Sequence, residues 1–141
     1  MAASRSWQPL RDGVRKPGLI LVDTSVWIDH LRRGDKTLAM LLDENKVLTH
    51  PFVIGELALG NLRQRDRILG DLGSLPRASV ASDQEVMQFI TRHRLFGRGI
   101  GYVDAHLLAA VRLSPGSALF TRDRRLMAAA EQLRVAANPR P

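Results

Sequence analysis

The 141-residue chain contains no cysteine. That excludes a disulfide framework, and it removes thiolates as nucleophiles or metal ligands. Aromatic residues make up only 5% of the chain, which argues against the base-stacking grooves of dedicated single-strand binders. No apolar run approaches the roughly 18 residues that a membrane helix needs. The opening stretch MAASRSWQPLRDGVRKPG is basic but has no apolar segment, so no secretion signal is read there. The sequence also lacks internal repeats and low-complexity tracts. These absences lead to the expectation of a cytoplasmic protein without membrane contact.

Apolar residues make up 45% of the chain, enough for the core of one domain. The formal net charge is +7, and residues 1–17 carry +3 of it, with Arg5, Arg11, Arg15 and Lys16 against Asp12. A basic excess favours polyanionic partners, nucleic acid above all. Residues 1–17 show no hydrophobic period and contain Pro9 and Pro17, so they are read as a flexible or loosely docked extension. One domain is expected over residues 18–137, with a short tail at 138–141.

Within that domain, short β-branched runs alternate with segments of helical period. Strands are expected at LILV (19–22), KVLTH (46–50), ASVA (78–81) and SALFT (117–121), with RVAA (134–137) as a final edge strand. Between them, Trp27 and Leu31 mark a helix stopped near Gly34, and Leu38, Leu41 and Leu42 mark a second. Pro51 opens a third, where its missing N–H is harmless. Ser82 caps DQEVMQFITRHRLF, the loop GRGIG breaks the chain, and YVDAHLLAAVRL resumes as helix. This alternation predicts an α/β fold with a mainly parallel sheet.

Four acids stand in places that favour apolar residues. Asp23 ends the first strand, and Glu56 is the only charge in PFVIGELALG. Asp104 is the only charge in GIGYVDAHLLAAV, and Asp123 follows the strand ALFT. Each has an ordinary explanation. Asp23 and Asp123 can be helix N-caps, Glu56 can lie on a narrow exposed strip, and Asp104 can serve the helix dipole. Taken together, they fall where an α/β sheet gathers ligands, outside the carboxyl ends of its strands. A divalent cation compensates several carboxylates at once, and Mg²⁺ or Mn²⁺ suits such hard oxygen donors.

At these residues the sequence resembles the PIN-domain ribonucleases, specifically toxins of the VapC type from toxin–antitoxin pairs. The matching segments are LVDTSVWIDHLRRGD, VLTHPFVIGELALGNL, GRGIGYVDAHLLAA and LFTRDRRLMAAAEQL, in the family's order over about residues 18–137. The resemblance implies a three-layer α/β/α sandwich around a parallel sheet. It also implies a Mg²⁺-dependent endoribonuclease, with Mn²⁺ as a substitute, that cleaves tRNA, rRNA or mRNA to stop translation and growth. A cognate antitoxin and homodimerisation are implied as well, with DNA reached only through the antitoxin. Position by position, Asp23, Glu56, Asp104 and Asp123 match the family's catalytic, metal-holding acids. Thr24, Ser25 and Thr121 fall on supporting hydroxyl positions. The extension at 1–17 is the main departure.

RNA needs cationic guides, and Arg92, Arg94 and Arg98 before the Asp104 helix, with Arg122, Arg124 and Arg125 around Asp123, are the candidates. A solvated basic face is the competing reading for each. His106 is read as a core or supporting residue, His50 as a strand-to-helix junction, His30 and His93 as helix-surface residues, and Trp27 as core. A haloacid-dehalogenase phosphatase would want an acid two positions after Asp23, where Ser25 stands. A receiver domain would want an early acidic pair and a late Lys. A PIN-type nuclease of RNA processing and a non-catalytic corepressor bound to a DNA-binding antitoxin are the remaining alternatives.

Overall fold

The computed structural model describes residues 18–141, so the extension read at 1–17 lies outside the described residues. Ten elements follow one another: β1 (Ile20–Val22), α1 (Thr24–Arg33), α2 (Lys36–Asp43), β2 (Val47–Leu48), α3 (Pro51–Ala58), α4 (Arg65–Gly73), α5 (Asp83–Arg92), α6 (Tyr102–Leu113), β3 (Ala118–Phe120) and α7 (Arg124–Gln132). The strands form one parallel sheet in the order β2-β1-β3. Central β1 aligns Leu21 with Leu48 on one side and with Leu119 on the other.

Successive strand residues point to opposite faces of a sheet. Leu21 and Val22 are both fully buried, so both faces are covered, and the chain is a three-layer α/β/α sandwich. Helices α1 to α4 pack against one another, while α5 packs on α6 and α6 on β3. Leu38, Val53, Leu107, Leu108, Leu119 and Leu126 fill the core without exposure. Gly34 stops α1 at φ 79°, a conformation that costs glycine no steric clash. Among the described residues no helix is long and apolar enough to cross a membrane.

Two expected strands shrink to single bridges. In place of a strand over 78–81, one bridge joins Thr49 to Arg77. The chain then leaves the sheet because the Ser79 amide donates to Ser114 Oγ, and Ser82 begins the capping box of α5 with Glu85. In place of an edge strand over 134–137, Ala136 makes one bridge to Leu119. Pro139, which has no N–H to offer a ladder, follows soon after.

His50 shows how β2 hands over to α3. Its ring is fully buried, and Nδ1 accepts a hydrogen bond from the Phe52 amide at 3.0 Å, capping the helix that Pro51 opens. Its Nε2 has no hydrogen-bond partner among the described residues. The buried ring of His106 lies 6.5 Å away, and Phe52 packs on it at 4.5 Å. Burial, then the charges of His106 and Arg77, push the His50 pKa down to about 4. An unfolded histidine titrates near 6.5, so the folded state binds fewer protons between these values. This contribution to stability is therefore complete above pH 6.5 and is lost as pH falls toward 4. Urea midpoints measured from pH 7 to 4 should decline over that window. They should decline less steeply in His50→Asn, which keeps a capping oxygen; an unchanged slope in that variant would refute the assignment.

Candidate active site

Asp23 stands where β1 becomes α1, and its amide donates to Phe120 O of β3 at 2.9 Å. Its side chain does not cap α1. Instead, Asp23 Oδ2 accepts from Ser25 Oγ at 2.8 Å and from Thr121 Oγ1 at 2.7 Å. Both hydroxyls are fed from behind: the Arg122 amide donates to Ser25 Oγ, and the Asp123 amide donates to Thr121 Oγ1. Asp23 is buried, with 6% exposure, and this network compensates only one of its two oxygens.

The other three acids are held in the same one-sided way. Glu56 lies on the exposed side of α3, and its Oε1 accepts from Thr24 Oγ1 at 2.6 Å. Half-buried Asp104 folds back on the start of α6, where Oδ2 accepts from the Gly101 amide at 2.9 Å. Exposed Asp123 caps α7 through Oδ1, which accepts from the Leu126 amide at 2.9 Å. The cap reading therefore holds for Asp123, and it fails for Asp23. Across the set, one carboxylate oxygen is fixed by a protein donor and the second accepts no hydrogen bond among the described residues.

Four separated stretches of chain thus meet in one electrostatic field. Burial raises the Asp104 pKa above the ordinary carboxylate value. The Gly101 amide opposes that shift, and the charges of Asp23, Asp123 and Glu56 add to it. None of the four acids forms an ion pair among the described residues. Among those residues, no three His, Asp or Glu side chains already stand close enough to enclose an ion. The donor set still suits a divalent metal: hard oxygens, one from each acid left without a partner, in a field that only a cation relieves.

The expected arginine guides divide into groups. Helices α5 and α6 run side by side from a shared start, where Asp83 accepts from Tyr102 Oη at 3.2 Å and lies 3.5 Å from His106 Nε2. At the other end His93 sits near Arg112 and Arg92; burial, then those two charges, lowers its pKa. Arg92 therefore belongs with Arg112, about 12 Å along α6 from Asp104 at 1.5 Å per residue. Arg98 donates to Gln132 at the far end of α7. Arg125 lies across Gly99, where an added Cβ would come within 2.5 Å of its guanidinium. Arg122 is clamped between Asp29 and Asp35. Arg94 is exposed two residues past the end of α5, and exposed Arg124 opens α7 beside Asp123.

Two features had no sequence signal of their own. Asp29 and Asp35 look like ordinary surface acids until the fold brings Arg122 to them. A groove of about 480 Å³ opens beside Glu56, lined by Ile28, Leu31, Leu57, Leu62 and Ile68 with Arg32 and Arg63. The apolar spacing of Ile28 and Leu31 reads equally well as core, although Ile28 is 38% exposed.

Comparisons with known proteins agree with this architecture. The PIN domain family model matches residues 20–132. The chain is 50% identical over 118 residues to Ribonuclease VapC32 of Mycobacterium tuberculosis, in the CDC 1551 / Oshkosh and ATCC 25618 / H37Rv strains. That match spans 84% of this chain and 95% of the relative. Among solved structures it is similar to FitAcB from Neisseria gonorrhoeae, with a TM-score of 0.56, 20% identity, and coverage of 83% of this chain and 94% of that one. FitAB bound to an IR36 DNA fragment is similar at a TM-score of 0.56 and 19% identity, over 83% of this chain and 92% of that one. At such identities these two likenesses speak for the fold alone.

The raised proton affinity of Asp104 makes a stability prediction. Where the folded pKa of an acid exceeds the unfolded one, the folded state binds more protons, and stability falls as pH rises through that window. Ionised Asp104 therefore destabilises the metal-free protein at neutral pH. Asp104→Asn keeps an acceptor for the Gly101 amide and removes the charge. In EDTA at pH 7 its Tm should exceed that of the unsubstituted protein by a few degrees, and the gap should close at pH 3. A lower Tm at pH 7 would contradict the repulsion.

Proposed function

From the PIN-domain family, to which the chain belongs as a VapC-type endoribonuclease toxin, we infer that Asp23, Glu56, Asp104 and Asp123 hold Mg²⁺ at its active edge. PIN-domain ribonucleases are generally metal-dependent, and the choice of Mg²⁺, with Mn²⁺ as its substitute, follows from the all-oxygen donor set. The observation that carries the reading is the shared field on Asp104, to which all three other acids contribute.

A phosphodiester already bears negative charge, and bare carboxylates would repel it. When bound, the metal supplies the compensating charge and lowers the pKa of a water at the site. The chain's own residues do the rest. Ser25 and Thr121 hold Asp23 Oδ2, which would leave Oδ1 for the ion; Thr24 holds Glu56 Oε1 and leaves Oε2. Gly101 and Leu126 leave one oxygen each on Asp104 and Asp123. Arg124, beside Asp123 and without an ion pair among the described residues, is the arginine best placed to meet a backbone phosphate of the RNA.

The toxin role brings a cognate antitoxin. It covers the acidic edge and the apolar groove beside Glu56, and a basic antitoxin side chain entering the acidic field would find charge-assisted acceptors. We assign the RNA substrate and the antitoxin to the cytoplasm, and the working unit to a homodimer.

Purified protein free of antitoxin should cleave RNA, lose the activity in EDTA and regain it with Mg²⁺. Asp23→Asn, verified as folded by its melting curve, should lose more than about a hundredfold in rate. That is the upper end of what a change in a ligand's supporting residues causes. A folded Asp23→Asn protein that cleaves at the unsubstituted rate would overturn the assignment.

A further inference from the structure

We propose that Arg122 is a positioning residue for Asp23 and not an RNA ligand. Its guanidinium is clamped to α1 and α2, and its backbone sits between the two hydroxyls that hold the carboxylate. The inference rests on the reading of Asp23 as a metal-holding acid, and deepens it.

Arg122 lies between Thr121 and Asp123 and looks from the sequence like a basic guide beside the active edge. The fold gives it other work. Its Nη1 donates to Asp29 Oδ2 at 3.0 Å, and its Nη2 donates to Asp35 Oδ2. Its guanidinium carbon lies 5.4 Å from the ring centre of buried Phe120, a cation–π distance. Two carboxylates and an aromatic face thus occupy the planar fork. Arg33 also reaches Asp29 at 3.7 Å, so two arginines meet two aspartates and no net positive charge is left for a phosphate.

Both partners are themselves fixed. Asp35 caps α2, its Oδ1 accepting from the Leu38 amide at 2.9 Å, and it is 12% exposed. Burial raises its pKa, but the Leu38 amide and the Arg122 guanidinium outweigh burial and keep it below the ordinary value. Asp29 sits in α1 with 30% exposure. The clamp therefore ties residue 122 to two helices. From that anchored residue, the amide of Arg122 reaches Ser25 Oγ at 3.1 Å, and the next amide, of Asp123, reaches Thr121 Oγ1 at 3.0 Å. Those hydroxyls are the two donors to Asp23 Oδ2. Loosening the clamp frees the segment that sets the carboxylate's orientation.

The test compares Arg122→Gln with the double variant Asp29→Asn/Asp35→Asn, which removes the clamp but leaves the arginine. Each protein is titrated with Mn²⁺ and followed by electron paramagnetic resonance, then assayed for RNA cleavage at several salt concentrations. Melting curves check the fold. Both variants should bind Mn²⁺ about tenfold more weakly, the size expected when a metal ligand loses its support. Both should lose kcat by a similar factor with KM within about twofold, and the triple variant should be no worse than Arg122→Gln alone. Binding of Asp23→Asn to Mn²⁺ separates the two layers of inference. If it equals the unsubstituted protein, the metal assignment itself fails. If it collapses while Arg122→Gln and the double variant bind normally, only the positioning role fails. A rise in KM with kcat preserved for Arg122→Gln, with a salt slope shallower by about 0.7 to 1, would make Arg122 a phosphate ligand and overturn the proposal. Should Arg122→Gln fail to fold, the double variant decides alone: a positioning arginine predicts weaker Mn²⁺ binding and lower kcat, whereas an arginine that only binds phosphate would leave both unchanged and overturn the proposal.

Discussion

Like-charge repulsion at the carboxyl end of the sheet is the constraint around which this molecule is arranged. Among the described residues, Asp23, Glu56, Asp104 and Asp123 share one field without a protein cation paired to them, and Asp104 registers the other three. Folding must bring these groups to one edge against that repulsion. The donors that hold them are neutral: hydroxyls of Thr24, Ser25 and Thr121, and amides of Gly101 and Leu126. A neutral donor fixes one carboxylate oxygen without cancelling the charge, so the negative field of the edge survives folding. An arginine in the same place would have cancelled it. Arg122, one of the two arginines that flank Asp123, is instead turned toward Asp29 and Asp35.

The supporting structure follows from this need. Parallel β1 and β3 lie side by side, so Asp23 and Thr121 arrive together at adjacent strand ends. The Leu21–Leu119 and Val22–Phe120 pairing fixes that register, and a one-residue slip would send each side chain to the other face. Full burial of Leu21, Val22 and Leu119 enforces the alignment, because a slip would break up the core. Core packing and site geometry are therefore one constraint seen from two ends of the same strands.

Much of this was legible in the sequence, for identifiable reasons. Strong periods and turn chemistry marked the three strands and the helices α1, α2, α3, α5 and α6: Pro51 at a first turn, Gly34 at a stop, and Ser82 as a cap. The four acids stood out because each was a lone charge in an apolar setting or ended an apolar strand. The strands read at 78–81 and 134–137 were each reduced to a bridge, because local composition cannot tell where a neighbouring strand ends. The state of Asp23 was only partly legible. A strand-ending aspartate is a common cap, and only the distant Thr121 hydroxyl, 98 positions away, explains why it turns inward.

The arginines were the least legible, and the reason is physical. A carboxylate in an apolar segment is costly wherever it sits, so its sequence context already carries information. An arginine is long, amphipathic and at ease on any surface, and its role depends on what its head reaches. Arg92, Arg94 and Arg98 sit close to Asp104 along the chain, yet α5 runs away from the acidic edge, and Arg92 and Arg98 lie at the far ends of α6 and α7. Arg125 packs over Gly99 at its φ of 77°, where backbone without a Cβ leaves room for the side chain. Arg124 is exposed and makes no ion pair among the described residues. Of the six arginines near the acids in sequence, Arg124 thus stays at this edge with its charge exposed. A basic overall charge therefore says that a polyanion is welcome, while the fold decides where it is held.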